Sequence, residues 1–428
     1  MRYTEMNKEQ LAAEKERLEQ QFNEYKAKGL KLDMSRGKPS PDQLDLSMEI
    51  MDHYGNEYVS ENGTDCRNYG LLDGIPEAKA IFSEMLEVAP EQVIVGGNSS
   101  LQLMYDFVIK ALQLGVLGSD KPWCKYDKVK FLCPVPGYDR HFAICESLGI
   151  EMINIDYKPD GPDMDEVERL VSSDESIKGI WCVPMYSNPT GISYSDETVR
   201  RFAALKPAAK DFRILWDNAY CVHHLSYEQA KQDRILNIID ECQKAGNPDM
   251  VVEFASTSKI SFPGSGVAVI VASKANIDFI KSQLTYQTIG YDKLNQLHHV
   301  QYFRDMNGIT EHMKRHAAIV KPKFDAVLSA LDREITPLGA GKWNSPKGGY
   351  FISFDALDGC AKRIVGLAKE AGVVMTGAGA TYPYGRDPRD SNIRIAPTYP
   401  TVDELKLAMD IFCVCVKLAS VEKLLGEK

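Results

Sequence analysis

Basic residues are in deficit: 50 lysines and arginines stand against 60 aspartates and glutamates, a formal charge of −10. A protein that tracks nucleic-acid phosphates needs a net basic face, so that class of function is set aside, although a local basic pocket remains open. Long apolar runs are missing too. No stretch of about 18 uncharged apolar residues occurs, and no membrane span is predicted. The opening residues, MRYTEMNKEQLAAEKERLEQQ, are charged almost throughout and lack the apolar centre of a secretory leader. The ten cysteines are scattered, with no CxxC pair and with Cys413 and Cys415 as the closest spacing. This excludes a zinc knuckle or disulfide framework, leaves no metal site to predict, and suits reduced thiols in a cytoplasmic protein. A dinucleotide fingerprint is also absent: TGAGATY (376–382) lacks the third glycine and comes late in the chain, which argues against a nicotinamide dehydrogenase. There is no internal repeat, low-complexity tract or flexible linker.

What is present is an ordinary globular composition, 44% hydrophobic and 26% charged over 428 residues, more than one hydrophobic core usually organises. Leu11, Leu18, Phe22 and Tyr25 recur at helical spacing between Lys8 and Lys28, with Gly29 as a stop. Residues 35–47 (SRGKPSPDQLDLS) carry two prolines and read as loop. From residue 78 onward helical patterns alternate with short apolar runs at 91–97, 128–135, 150–156, 177–185, 212–219, 250–256 and 267–273. Consecutive apolar residues are expected of strands covered on both faces, and their alternation with helices predicts βαβ units around a mainly parallel sheet. Past residue 320 the rhythm becomes helix (KPKFDAVLSAL), GGYFISFD, helix (AKRIVGLAKEAG), VVMTG, NIRIAP and a final helix from Val402, which predicts a smaller α+β unit. The expected division is a large domain over 61–320 and a small one formed by 1–60 and 321–428.

Four polar clusters follow predicted strands. GGNSS (96–100) brings Asn98, Ser99 and Ser100 to a strand-to-helix turn, where backbone N–H groups and hydroxyls suit an anion; it reads equally as a capped helix start. SNPTG (187–191) aims Asn188 past a buried strand, or is an ordinary Asn-Pro turn. WDNAY (216–220) places Asp217 where burial is expected, with Tyr220 three residues on; a helix-capping Asp is the plain alternative. STSKISFPGSG (256–266) ends a strand in Ser256 and Ser258, then Lys259, which taken alone is more often a solvated surface lysine. Arg394 follows in SNIRIAP. A phosphorylated pyridine aldehyde needs those parts together: an amine for imine formation, a carboxylate for the ring nitrogen, donors for the ring oxygen and a phosphate cup. An amino-acid substrate adds an arginine for its carboxylate.

In this order, SNPTG, DNAY, SxSK, GGYF and IRI resemble the class I/II aminotransferases of fold-type I, which depend on pyridoxal 5′-phosphate (PLP). SRGKPSP, NYGLLDGIPEAKA and VIVGGNSSLQLMYD resemble a bacterial aspartate aminotransferase subgroup, and the likeness spans essentially the whole chain. It implies an α/β fold with a seven-stranded, mainly parallel sheet between helices and a ping-pong reaction of aspartate with 2-oxoglutarate. Lys259 would carry PLP as a Schiff base and shuttle a proton, Asp217 would hold the ring nitrogen, and Asn188 and Tyr220 the ring oxygen. Tyr138, in PVPGYDRHF, would stack on the ring. Ser99, Ser100, Ser256 and Ser258 would surround the phosphate, joined by Tyr69 of a neighbouring subunit in a homodimer with shared active sites. Arg394 would bind the substrate α-carboxylate, and Gly37 would lie in a substrate-covering loop. For a second, side-chain carboxylate the reading favours Arg140, with Arg36 and Lys38 as others; a surface Arg140 paired with Asp139 or solvent is the plain alternative.

The sequence departs from the family pattern once, where PGSGVA places Gly266 at the position of an expected phosphate-binding arginine. Aminotransfer of alanine, aromatic or aminoadipate substrates and β-elimination share most of these residues. A regulator with an aminotransferase-like domain would need a DNA-binding module ahead of it, for which too few residues precede the pattern.

Overall fold

The computed structural model describes residues 1–53 and 57–427. Its strands run, in chain order, β1 (Leu32–Met34), β2 (Val93–Val95), β3 (Lys130–Val135), β4 (Glu151–Lys158), β5 (Gly161–Pro162), β6 (Ile177–Cys182) and β7 (Arg213–Asp217). They continue as β8 (Val251–Ser256), β9 (Ala268–Ala272), β10 (Gly341–Trp343), β11 (Ile352–Ala356), β12 (Val373–Met375) and β13 (Asn392–Ile395). Eight form one sheet in the order β2-β9-β8-β7-β6-β3-β4-β5. The sheet exceeds the expected seven strands because two residues, Gly161 and Pro162, fold back antiparallel on β4, too short a signal to read beforehand.

The run β4-β3-β6-β7-β8 is parallel, and β9 lies antiparallel between β8 and β2. All of β6, β7 and β8 is buried, and neighbouring residues pack into opposite layers. Ile214, Trp216 and Val251 join the core on one face, whereas Leu215, Val252 and Phe254 join the other. That explains why these strands read as continuous apolar runs. From β3 the chain moves outward to β4 and β5 on one side, then crosses back to β6 on the other side of β3. This opens the crevice in which doubly wound sheets bind ligands.

A separate core joins the two ends of the chain. Helix Lys8–Lys26 starts at Asn7, whose side chain accepts from the Gln10 N–H while the Gln10 side chain accepts from the Asn7 N–H. Its buried Leu11, Leu18 and Phe22 pack against helix Val402–Glu427. Strands β10, β11 and β13 form an antiparallel sheet beside it, and β1 pairs in parallel with β12, Leu32 opposite Val373. Two expectations are corrected. The 35–47 segment holds a short helix, Pro41–Asp45, which its proline opens rather than blocks. The helix expected from residue 321 begins at Met306 and runs to Glu334 through Pro322. No helix among the described residues is long and apolar enough to cross a membrane.

Candidate active site

The carboxyl ends of β2, β3, β6, β7 and β8 meet along one edge, and a cleft of about 550 Å³ opens there. Asp217 is the last residue of β7 and is buried; its Oδ2 pairs with Nε2 of His141 at 3.0 Å. The His141 ring stacks on Trp181, with centroids 4.3 Å apart and planes 8° from parallel. The other oxygen, Oδ1, is buried with no partner among the described residues. An unmatched buried acceptor costs about 1–3 kcal/mol, so this atom calls for a donor from a bound group.

Lys259 follows β8 and sends Nζ to within 4.8 Å of the Tyr220 ring centroid and 5.9 Å of the Tyr350 ring centroid. Burial pushes its ammonium pKa down, and the charge of Asp217 offsets part of that shift. A lysine so placed loses its proton more readily and becomes a nucleophile. The Tyr350 hydroxyl donates to the Lys259 carbonyl at 3.4 Å and accepts from Gln43 Nε2 at 3.0 Å, which ties the lysine to the N-terminal segment. Burial raises the phenol pKa of both Tyr220 and Tyr138, keeping them as neutral donors. Tyr138 ends the β3 connection, half-buried and edge-on to His141.

Arg394 lies on β13 and is only 7% exposed. Its Nη1 donates to Asp139 Oδ1 at 2.7 Å and to Asn188 Oδ1 at 3.3 Å, and its guanidinium lies 4.9 Å from the Phe351 ring centroid. Nε is buried without a partner. Arg140 therefore does not take Asp139, which leaves solvent as its plain alternative partner. It is exposed, lines the cleft and makes no ion pair among the described residues. Arg36, Gly37 and Lys38 line the same wall, Lys38 with Nζ 3.7 Å from the Tyr399 ring centroid.

Ser99, Ser100, Ser256 and Ser258 all line the cleft. Ser99 precedes helix Ser100–Leu114 and makes no side-chain cap, so its hydroxyl is available. Ser256 Oγ donates to Ser258 Oγ at 3.1 Å. Asn98 does not line the cleft: its side chain donates to the Gly264 carbonyl at 3.4 Å, and its own carbonyl accepts from Ser258 Oγ at 3.4 Å. A Cβ at Gly266 would lie 3.1 Å from the carbonyl oxygens of Asn98 and Phe262, so the loop closes where an arginine side chain would emerge. Tyr69 is 79% exposed and does not line this cleft. Sequence reasoning passed over His141 and Phe351, and gave Asp139 only as a surface partner for Arg140. The available signal for His141 was its spacing, three residues after Tyr138 at a helix start.

A doubly wound sheet with a half-buried lysine and a buried carboxylate at its carboxyl edge, faced by a buried arginine from β13, is the arrangement of the fold-type I aminotransferase class. The chain belongs to the aspartate aminotransferase family, whose model matches residues 6–428. It is 47% identical over 431 residues to a putative aminotransferase of Mycolicibacterium smegmatis, covering 100% of both chains. It is 45% identical to an aspartate aminotransferase of Corynebacterium glutamicum, covering 95% of this chain and 94% of that one. A solved aspartate transaminase of C. glutamicum superposes with a TM-score of 0.96 at 43% identity, covering 99% of each chain. An α-aminoadipate aminotransferase of Thermus thermophilus, solved with N-(5′-phosphopyridoxyl)-L-leucine, shares the fold alone, with a TM-score of 0.72 at 20% identity over 94% of this chain and 95% of that one.

Proposed function

We propose that this aminotransferase depends on PLP and transfers the amino group of aspartate to 2-oxoglutarate, giving oxaloacetate and glutamate by a ping-pong route. The observation that carries the cofactor is the unpartnered Oδ1 of Asp217, on the same carboxylate as an oxygen already fixed by His141. A protonated ring nitrogen is the donor that oxygen lacks. Bound there, PLP supplies the electron sink for a carbanion at the substrate Cα.

The protein's part is to bind, orient and move protons. Lys259, its amine pKa lowered by burial, would attach the cofactor and then carry a proton between the substrate Cα and the cofactor C4′. Tyr220 and Asn188 donate to the ring oxygen, Tyr138 stacks on the ring, and Ser99, Ser100, Ser256 and Ser258 receive the phosphate. Tyr69, exposed here, reaches the phosphate of a second subunit in a homodimer. Arg394 takes the α-carboxylate, Gly37 belongs to the covering loop, and Arg140 takes the side-chain carboxylate. The separate core of the chain ends supports a small domain of 1–60 and 321–428 against a large one of 61–320. The ten free thiols suit a cytoplasmic setting.

The test is spectroscopic first. The purified protein, or the protein with PLP added, shows an imine band in the violet or near-ultraviolet that Lys259→Ala removes; a colourless protein that gains no band refutes the proposal. Aspartate with 2-oxoglutarate then yields oxaloacetate, whereas release of pyruvate and ammonia would mark a lyase. Arg140→Ala loses activity on aspartate and glutamate far more than on alanine, and equal losses would exclude Arg140 as the side-chain residue.

A further inference from the structure

Arg394 already holds a carboxylate. Asp139 Oδ1 sits 2.7 Å from Nη1, the distance of a charge-assisted hydrogen bond, and the arginine is buried while the aspartate side chain is 32% exposed. One partner is therefore fixed and the other free to leave. Asp139 is the first residue of helix Asp139–Ser147, whose N-cap, Tyr138, makes no side-chain cap. The N-terminal N–H groups of that helix offer a released carboxylate a favourable place to go.

A substrate α-carboxylate that binds Arg394 through two N–H groups would bring a second negative charge against Asp139. Like charges at such range disfavour each other strongly in a partly buried site. Both cannot stay. We propose that Asp139 is a built-in competitor for the substrate α-carboxylate, occupying Arg394 between turnovers and leaving when substrate binds. This rests on the reading that Arg394 is the α-carboxylate site.

Substrate binding is then an exchange of carboxylates, and the displacement is the same whatever side chain follows. Asp139 lowers the affinity for aspartate, glutamate and alanine by one common factor, in contrast to the selective effect of Arg140. Adjacent helical residues do not face each other, so Asp139, once released, does not simply cover Arg140.

The experiment titrates maleate, a dicarboxylate with neither amino nor carbonyl group and therefore unable to turn over, into the holoenzyme by calorimetry. Asp139→Asn keeps the size and removes the charge; Asp139→Ser repeats the test with another residue that suits a helix start. We expect both to bind maleate about threefold to tenfold tighter than the parent, the scale of one partly exposed ion pair. In steady state KM for aspartate, glutamate and alanine falls by a shared factor, with the change on KM rather than kcat. Unchanged or weaker maleate binding in both variants overturns the inference and makes Asp139 a residue that orients Arg394. A KM change confined to one substrate overturns it as well. Arg394→Gln serves as the control: if it binds maleate as tightly as the parent, the reading of Arg394 itself fails. If it loses maleate while the Asp139 variants gain nothing, only the competitor is refuted.

Discussion

Asp217 works because its two oxygens are treated differently. One is fixed by His141, itself clamped on Trp181, and the other is left open toward the cleft. A positioning residue of this kind typically changes activity by about 10- to 100-fold when removed from behind a bound group. His141→Asn is therefore expected to lower kcat and weaken PLP binding by amounts in that range, the second read by fluorescence titration of the apo-protein. Retention of PLP affinity would show that His141 does not position the carboxylate. Asp217, Asn188, Lys259 and Arg394 were legible as candidates only through their order along the chain, since each of the first three alone also read as a cap, a turn or a surface residue. His141 was not, because a histidine inside a helix looks like any amphipathic residue until its ring is seen against Asp217. Asp139 was legible as a charge, yet its partner lay 255 residues away on β13.

At the scale of elements, the loop carrying Gly37 is fitted to strand β11 and its approach. A Cβ at Gly37 would fall 2.2 Å from the Phe351 ring, the same ring that lies beneath Arg394. Gly37→Ala must displace that ring, and overpacking of this kind costs typically about 1–3 kcal/mol. The expected outcome is a KM for aspartate raised roughly fivefold or more, with the cofactor absorbance unchanged; an unaltered KM would mean that the loop gives way instead. Helix Met306–Glu334 shows why some elements escaped the sequence. Its first half reads as charged, EHMKRH, and Pro322 suggests a start. Yet Ile309, Met313, Ala317, Val320, Phe324, Val327 and Leu331 bury one continuous face, which carries the helix across the proline. His312 and His316 belong to that buried face, a pattern that polarity conceals.

For the whole molecule, these histidines set an acid limit. Burial lowers His224, His299 and His312 to about 4 and His316 to about 3, from an ordinary value of 6.5. Their folded pKa values lie below those of the unfolded chain, so their contribution is complete above pH 6.5 and is lost as pH falls toward 4. Glu253 opposes them: burial raises its carboxyl from 4.5 to about 7, which makes folding less favourable as pH rises over that interval. Four depressed histidines outweigh one raised carboxyl, so the unfolded chain takes up more protons than the folded one on the acid side and stability falls there as pH drops. Denaturant midpoints measured between pH 4.5 and 6.5 should fall steeply on the acid side, and a flat profile would contradict the account. The fold class was legible because the central strands are covered on both faces. The pairing of β1 with β12 was not, since three-residue strands carry almost no periodic signal.

That pairing also imposes an order in time. The Ser35 carbonyl accepts from Thr376 Oγ1, 341 residues further on, beside strands that join Leu32 to Val373. A ribosome adding about 5–20 residues per second makes the first of these segments on the order of half a minute before the second. Through that interval Leu11, Leu18 and Phe22 have no helix Val402–Glu427 to cover them, and the wall of the cleft that includes Gly37 has nothing to dock on. The nascent chain can assemble its central sheet early, but it becomes a competent enzyme only when its last tenth emerges, and until then its first helix is a ready substrate for a chaperone.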